Sequence, residues 1–179
     1  MGKFLIETDR FIITEADESM VQVIHENSLD DDNRKFVPDE VFETIEDAQQ
    51  IVQTFLKWYK QDRAPLVYPI ILKNGENIGY VQAVPYGDVE WEIGYHVAKM
   101  HTKKGYATEA VKAFLPVIME KLKIDKITGD CLEENIASRT VLEKCGFALE
   151  FKGVGKYQGQ SRNIRTYSYF IQQSPKEIP

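Results

Sequence analysis

Apolar positions along this chain recur at two spacings, and the switching between them predicts a mixed fold of strands and helices. Residues 5–13 alternate as an opening strand, with Phe11 and Ile13 on one face and Ile12 on the other. Asp17 can cap a helix whose inward positions are Met20, Val21, Val23 and Ile24. Periodicity then stops: residues 27–43 read as a polar connection carrying Asp30, Asp31, Asp32, Asp39, Glu40 and Glu43. A solvated loop is the default for such a run, but its length also suits a lid or a substrate-contacting segment. Thr44 and Asp47 form a capping box, with Asp in the usual place of Glu. From there Ile45, Ala48, Ile51, Val52, Phe55 and Tyr59 trace one helical face ending near Gln61. Residues 66–72 and 78–84 are β-rich and flank Asn74-Gly75, a strong hairpin signal.

Residues 89–97 show the clearest alternation. Val89, Trp91, Ile93, Tyr95 and Val97 share one face; Glu90, Glu92, Gly94 and His96 share the other. A helix follows through Ala110, Val111, Phe114, Leu115, Ile118 and Leu122, with Pro116 inside it as an expected kink or lost hydrogen bond. Residues 126–132 are a further strand. Asn135 can cap a last helix with Ala137, Val141 and Leu142 inward, closed by Gly146 in the C′ position. Residues 148–152 and 165–171 then pair, and residues 172–179 read as a polar tail. The expected architecture is α/β (α+β): a mostly antiparallel sheet of about seven strands flanked by about four helices, in one domain spanning residues 1–171.

Composition narrows the function classes. The chain has 179 residues and a net charge of −6, which argues against a dedicated nucleic-acid binder and fits a cationic or amine-bearing partner. No apolar run reaches transmembrane length, and residues 1–4 lead too quickly into charged positions to read as a signal peptide, so no membrane partner is expected. Cys131 and Cys145 lack metal spacing and read as reduced core thiols, consistent with the cytoplasm and with no resident metal.

Two stretches carry candidate chemistry. In Met100-His101-Thr102-Lys103-Lys104-Gly105-Tyr106-Ala107-Thr108, a strand feeds a glycine turn and then a helix. The first amides of a helix lack intrahelical acceptors and sit in positive potential, so such a turn can hold a phosphate or pyrophosphate. Lys103 and Lys104 add charge, and Gly105 permits a close backbone approach; a plain turn has the same outline. The Rossmann and Walker A patterns are both absent. The second stretch is the Glu90, Glu92 and His96 face, where two carboxylates and an imidazole suit proton transfer, although an exposed sheet face looks similar.

Three motifs in order resemble the GNAT acetyltransferase superfamily. Thr102-Lys103-Lys104-Gly105-Tyr106-Ala107 is similar to that family's acyl-CoA pyrophosphate motif, Gln/Arg-x-x-Gly-x-Gly/Ala. Trp91-Glu92-Ile93-Gly94-Tyr95 resembles the central strand of its RimJ/RimL-like branch, as does the opening Glu7-Thr8-Asp9-Arg10-Phe11-Ile12-Ile13. Asn135-Ile136-Ala137-Ser138-Arg139, leading to Leu142-Glu143-Lys144-Cys145-Gly146-Phe147, is similar to the family's last-helix signature. The resemblance implies an N-acetyltransferase using acetyl-CoA as cosubstrate. It assigns the amides of Lys103, Lys104, Gly105, Tyr106, Ala107 and Thr108 to the pyrophosphate, Asn135 with Ser138 to the pantetheine, and the backbone of His96 and Val97 to pantetheine edge pairing. Asn135 can equally be a helix cap.

The reaction itself needs a base, because an alkylammonium must lose a proton before attack on a thioester. Glu92 is the first choice for that base, Glu90 the second and His96 the third; an amide near Val97 would stabilise the oxyanion. Two departures from the family stand out. Thr102 replaces the usual Gln or Arg, and Leu142 stands where many members carry a Tyr general acid, leaving Ser138, water or no dedicated acid. The acidic 27–43 segment would attract a cationic acceptor. A peptide or protein N-terminal amine, as in the ribosomal-protein enzymes of that branch, leads over a polyamine or aminoglycoside. A non-catalytic acyl-CoA sensor is the reading from a different class, and a homodimer stays open.

Overall fold

The computed structural model describes residues 5–171, so the 172–179 tail lies outside the described residues. Eight strands form one sheet: β1 (Leu5–Glu7), β2 (Phe11–Thr14), β3 (Leu66–Leu72), β4 (Asn77–Tyr86), β5 (Glu90–Val97), β6 (Lys126–Leu132), β7 (Ala148–Tyr157) and β8 (Gln160–Phe170). Their order across the sheet is β1-β2-β3-β4-β5-β6-β8-β7, antiparallel throughout except for β5 beside β6. The helices are α1 (Val21–Ser28), α2 (Asp31–Phe36), α3 (Ile45–Trp58), α4 (Tyr106–Leu122) and α5 (Ile136–Lys144).

Both counts exceed the sequence expectation by one, for local reasons. The opening strand breaks in two because the Thr8 hydroxyl accepts the Arg10 and Phe11 amides, folding residues 8–10 into a turn. The polar 27–43 connection is not a bare loop. Asp30 accepts the Asn33 amide and so caps α2, and a short 3-10 turn, Pro38–Glu40, follows. The Thr44–Asp47 capping box and the Asn135 cap form as expected. Gly146 adopts φ 87°, and the Gly146 and Phe147 amides bond back to Glu143 and Leu142 to end α5.

Strand alternation divides the molecule at the sheet. On one side Tyr68, Ile70, Val81, Trp91 and Ile93 pack with Val111, Phe114 and Ile118 of α4 and Leu142 of α5. On the other, Val67 packs with Phe55, Ile51 and Trp58 of α3. Glu92, Gly94 and His96 face this second side, registered against Val84, Gln82 and Tyr80 of β4.

The feature that makes a site is a fork. β4 and β5 pair from Gly79 opposite Val97 to Tyr86 opposite Glu90, whereas β5 and β6 share one register pair, Glu92 with Thr128. Beyond that pair the two strands separate, so residues 93–97 present main-chain groups to a gap.

Candidate active site at the strand fork

The glycine turn sits at the N-terminus of the 17-residue helix α4. Lys103 (φ 61°) and Gly105 (φ 80°) are both left-handed, and this curls the chain so that consecutive amides point inward. The first α4 cap bond runs from the Glu109 amide to the Gly105 carbonyl, and no side chain caps the helix. The amides of Tyr106, Ala107 and Thr108 therefore keep unmet donor capacity at the positive end of a long helix dipole. The loop is braced by a residue that sequence reading left unassigned. Arg10 Nη1 donates to the Lys104 carbonyl (2.9 Å), its Nε donates to Glu109 (2.6 Å), and its guanidinium lies 4.3 Å above the Tyr106 ring. This pairing offsets the Glu109 carboxylate, which would otherwise oppose an anion at that helix end.

Glu92 stands where the strands part. Its Oε1 accepts the Asp130 amide at 3.3 Å, while the Thr128 hydroxyl donates to the Trp91 carbonyl at 3.2 Å. Burial raises the Glu92 pKa from the ordinary 4.5 to about 7; the Asp130 and Glu40 carboxylates add to this and the Asp130 amide opposes it. Burial also raises Glu40, whose carboxyl accepts from Gln82 at 3.0 Å, and it raises Asp130. Burial pushes the Tyr157 phenol up as well, helped by Glu92 and Glu40, so a tyrosine from the β7–β8 hairpin belongs to the same electrostatic cluster. Glu40 was marked only as part of the acidic 27–43 run, and Asp130 and Tyr157 had no sequence motif, because chain regions far apart bring the three together.

The other candidate bases are placed differently. Glu90 is exposed at the start of β5. His96 Nε2 lies 2.9 Å from Asp30 Oδ2. Burial pushes Asp30 up, but bonds from His96 and the Asn33 amide outweigh it and hold that carboxyl below its usual range. Asn135 Oδ1 accepts the Ser138 amide at 3.1 Å, so the cap exists and uses the side-chain oxygen, leaving the nitrogen as donor. The Ser138 hydroxyl is 3.0 Å from the Tyr95 hydroxyl, which also donates to the Ser138 carbonyl at 2.9 Å and ties α5 to β5. Leu142 is fully buried, and a Cβ at Gly129 would meet it at 2.8 Å, so its position is closely packed core.

Beside the carboxyl cluster, a cavity of about 250 Å³ opens between α1 and α3 and strands β3 and β4. Phe42, Phe55, Trp58, Val67, Pro69 and Val84 form much of its wall, with Glu40, Gln82 and His96 toward β5. Among the described residues no group of three or more His, Cys, Asp or Glu side chains could hold a metal ion.

Residues 10–148 match the acetyltransferase (GNAT) domain family, a span that covers the glycine turn, the fork and α5. The chain is a GNAT acetyltransferase. The GNAT chain is similar to YnaD of Bacillus subtilis, an uncharacterized N-acetyltransferase, at 33% identity over 147 residues, covering 81% of this chain and 83% of YnaD. A second B. subtilis relative, YoaA, is 27% identical and covers 82% of this chain and 84% of its own length. Among solved structures, a GNAT-family acetyltransferase from Bacillus anthracis superposes with a TM-score of 0.80 at 25% identity, covering 93% of this chain and 98% of that one. RimL, the ribosomal L7/L12 alpha-N-protein acetyltransferase solved with coenzyme A, shares the fold at TM-score 0.80 and 21% identity, over 94% and 98% of the two chains. As a GNAT enzyme, the protein is an acetyl-CoA-dependent N-acetyltransferase. The fold expectation holds at the level of class, with eight strands in place of seven and five helices in place of four.

Proposed function

We propose that this enzyme acetylates the N-terminal amine of a peptide or protein, with acetyl-CoA held along the β5–β6 fork and its pyrophosphate on the amides of residues 103–108. The observation that carries the reading is the junction of two features. A turn of unmet amides and a carboxyl with a pKa of about 7 flank residues 93–97, the stretch of β5 that is paired with β4 on one edge and has no β6 register pair on the other. Pantetheine could pair with that edge through main-chain bonds, including those of His96 and Val97, with Asn135 and Ser138 at the flank.

In this scheme Glu92 is the base. A carboxyl poised near neutral pH can accept the ammonium proton directly or through one water and remain in the right state often enough to act. Glu40 and Asp130 lend the cleft negative character, which draws a cationic acceptor. An amide near Val97 faces the developing oxyanion. Leu142 has no proton to give, so the thiolate is protonated by another group. Ser138 was one alternative beside water and no dedicated acid, but its hydroxyl is engaged by Tyr95; Tyr157, which shares the field of Glu92 and Glu40, is a further candidate. RimL is an alpha-N-protein acetyltransferase, and another fold relative is a putative ribosomal-protein-serine acetyltransferase from Vibrio cholerae; both support the terminal-amine reading. Buried free Cys131 and Cys145 fit a cytoplasmic setting.

The test is incubation of the protein with acetyl-CoA and a panel of peptides, polyamines and aminoglycosides. Free CoA is followed with a thiol reagent and products by mass spectrometry. Acetylation at a peptide terminus is expected; thermal stabilisation by acetyl-CoA without CoA release from any amine would replace this reading with that of a sensor.

A further inference from the structure

We propose that the acceptor amine carries a bulky apolar group, aromatic or branched aliphatic, which occupies the cavity between α1, α3, β3 and β4. This deepens the acetyl-transfer reading and rests on it for the identity of the reaction. Cavity and catalytic carboxyl are contiguous: Gln82 and Val84, both on the cavity wall, register opposite Gly94 and Glu92 on the same sheet face. An amine delivered to Glu92 therefore has its neighbouring substituent directed along β4 into this space.

Size and lining then choose the substituent. The volume is about 250 Å³. An apolar cavity of about 150 Å³ lined by Leu, Ile and Phe holds benzene, so this one accepts a phenyl, an indole or a leucyl group with room to spare. Phe42, Phe55, Trp58 and Val67 offer such a group contacts that a polyamine or an aminoglycoside would waste. The charge distribution agrees, because the acidic groups gather toward β5, where the ammonium would lie. A separate observation concerns polarity. Asn77 is 8% exposed, lines the cavity, and its Nδ2 has no hydrogen-bond partner among the described residues. Its Oδ1 is already taken by the Gly79 amide. That nitrogen is sealed from water, so Asn77 offers an occupant no free donor, and selection rests on size and apolar contact.

Trp58 lines the cavity, so occupancy can be read independently of turnover. The experiment measures tryptophan emission and acetylation for phenylalaninamide, leucinamide and glycinamide, with Trp58→Phe assigning the emission change. The expected result is an emission shift with the first two and a kcat/KM at least roughly tenfold above that for glycinamide. Ile51→Phe, which narrows the cavity from α3, should weaken phenylalaninamide by roughly tenfold while acetyl-CoA affinity stays as in the parent. Phe-Gly-Gly, Ser-Gly-Gly and phenethylamine separate the sources: preference for the first assigns a peptide terminus, and equal use of phenethylamine assigns a free amine.

An emission shift with no acetylation of any amine would keep the cavity assignment and remove the transferase reading. Glycinamide acetylated as well as phenylalaninamide, with Trp58 emission unchanged, would overturn the cavity assignment and leave acetyl transfer standing. Neither binding nor turnover would overturn both.

Discussion

Replacing Glu92 with Gln probes the fork through stability and turnover together. Gln preserves the shape and the oxygen that accepts the Asp130 amide, but it takes no proton and bears no charge. Burial, reinforced by Asp130, lifts the wild-type carboxyl from 4.5 to about 7. The folded protein therefore binds this proton more tightly than the unfolded chain does. The resulting stabilisation is complete below the unfolded value and is lost as pH rises through about 7. At about 1.4 kcal/mol per pH unit, the interval amounts to on the order of 3 kcal/mol at most. E92Q escapes that loss. It should melt with wild type near pH 4.5 and above it at pH 8, by up to roughly 6–12 °C for a chain of this length. Turnover should move the other way: wild-type kcat/KM gains an inflection near pH 7 as Glu92 releases its proton, and E92Q loses that inflection with a drop of about 100-fold or more. Acetyl-CoA affinity, measured by calorimetry, should survive. Undiminished turnover would refute the base assignment. A stability difference that does not grow between pH 5 and pH 8 would refute the electrostatic reasoning.

Gly105→Val places a β-branched side chain at φ 80°, where the nearest atom to a Cβ is Arg10 Nη2 at 3.7 Å; the space is open, so the penalty is backbone strain. Its CoA affinity should fall by about tenfold or more, and normal affinity by calorimetry would count against the phosphate turn. Arg10→Ala leaves Glu109 unpaired beside the first α4 amides; a several-fold weaker acetyl-CoA affinity that salt partly restores is expected, and no change would show that the brace is dispensable. Tyr157→Phe removes a phenol that shares the field of Glu92 and Glu40. If Tyr157 protonates the thiolate, kcat should drop by roughly 100-fold while KM for acetyl-CoA holds. Unchanged kcat would return that step to water or to Ser138.

The chain's own pattern determined the secondary elements wherever local chemistry decides them. The Thr44–Asp47 box, the Asn74-Gly75 hairpin, the Asn135 cap and the Gly146 stop act over a few residues, and each is found where its residues put it. The alternation of residues 89–97 likewise assigned Glu92 to the face opposite Trp91 and Ile93. Local signals went astray where a side chain competed with the regular pattern: Thr8 broke one strand, and Asp30 nucleated α2 inside a polar run.

Other features depend on residues distant along the chain, and periodicity carries no distances. Arg10 meets Lys104 and Glu109 across nearly a hundred positions, and Glu40 meets Gln82 across 42. The separation of β5 from β6 after Glu92 opens the fork, and burial within that fork raises the Glu92 proton affinity. Residue type makes Glu92 able to ionise; only the packing of the sheet sets the pH at which it does so, because the cost of a charge depends on how much water the fold leaves around it.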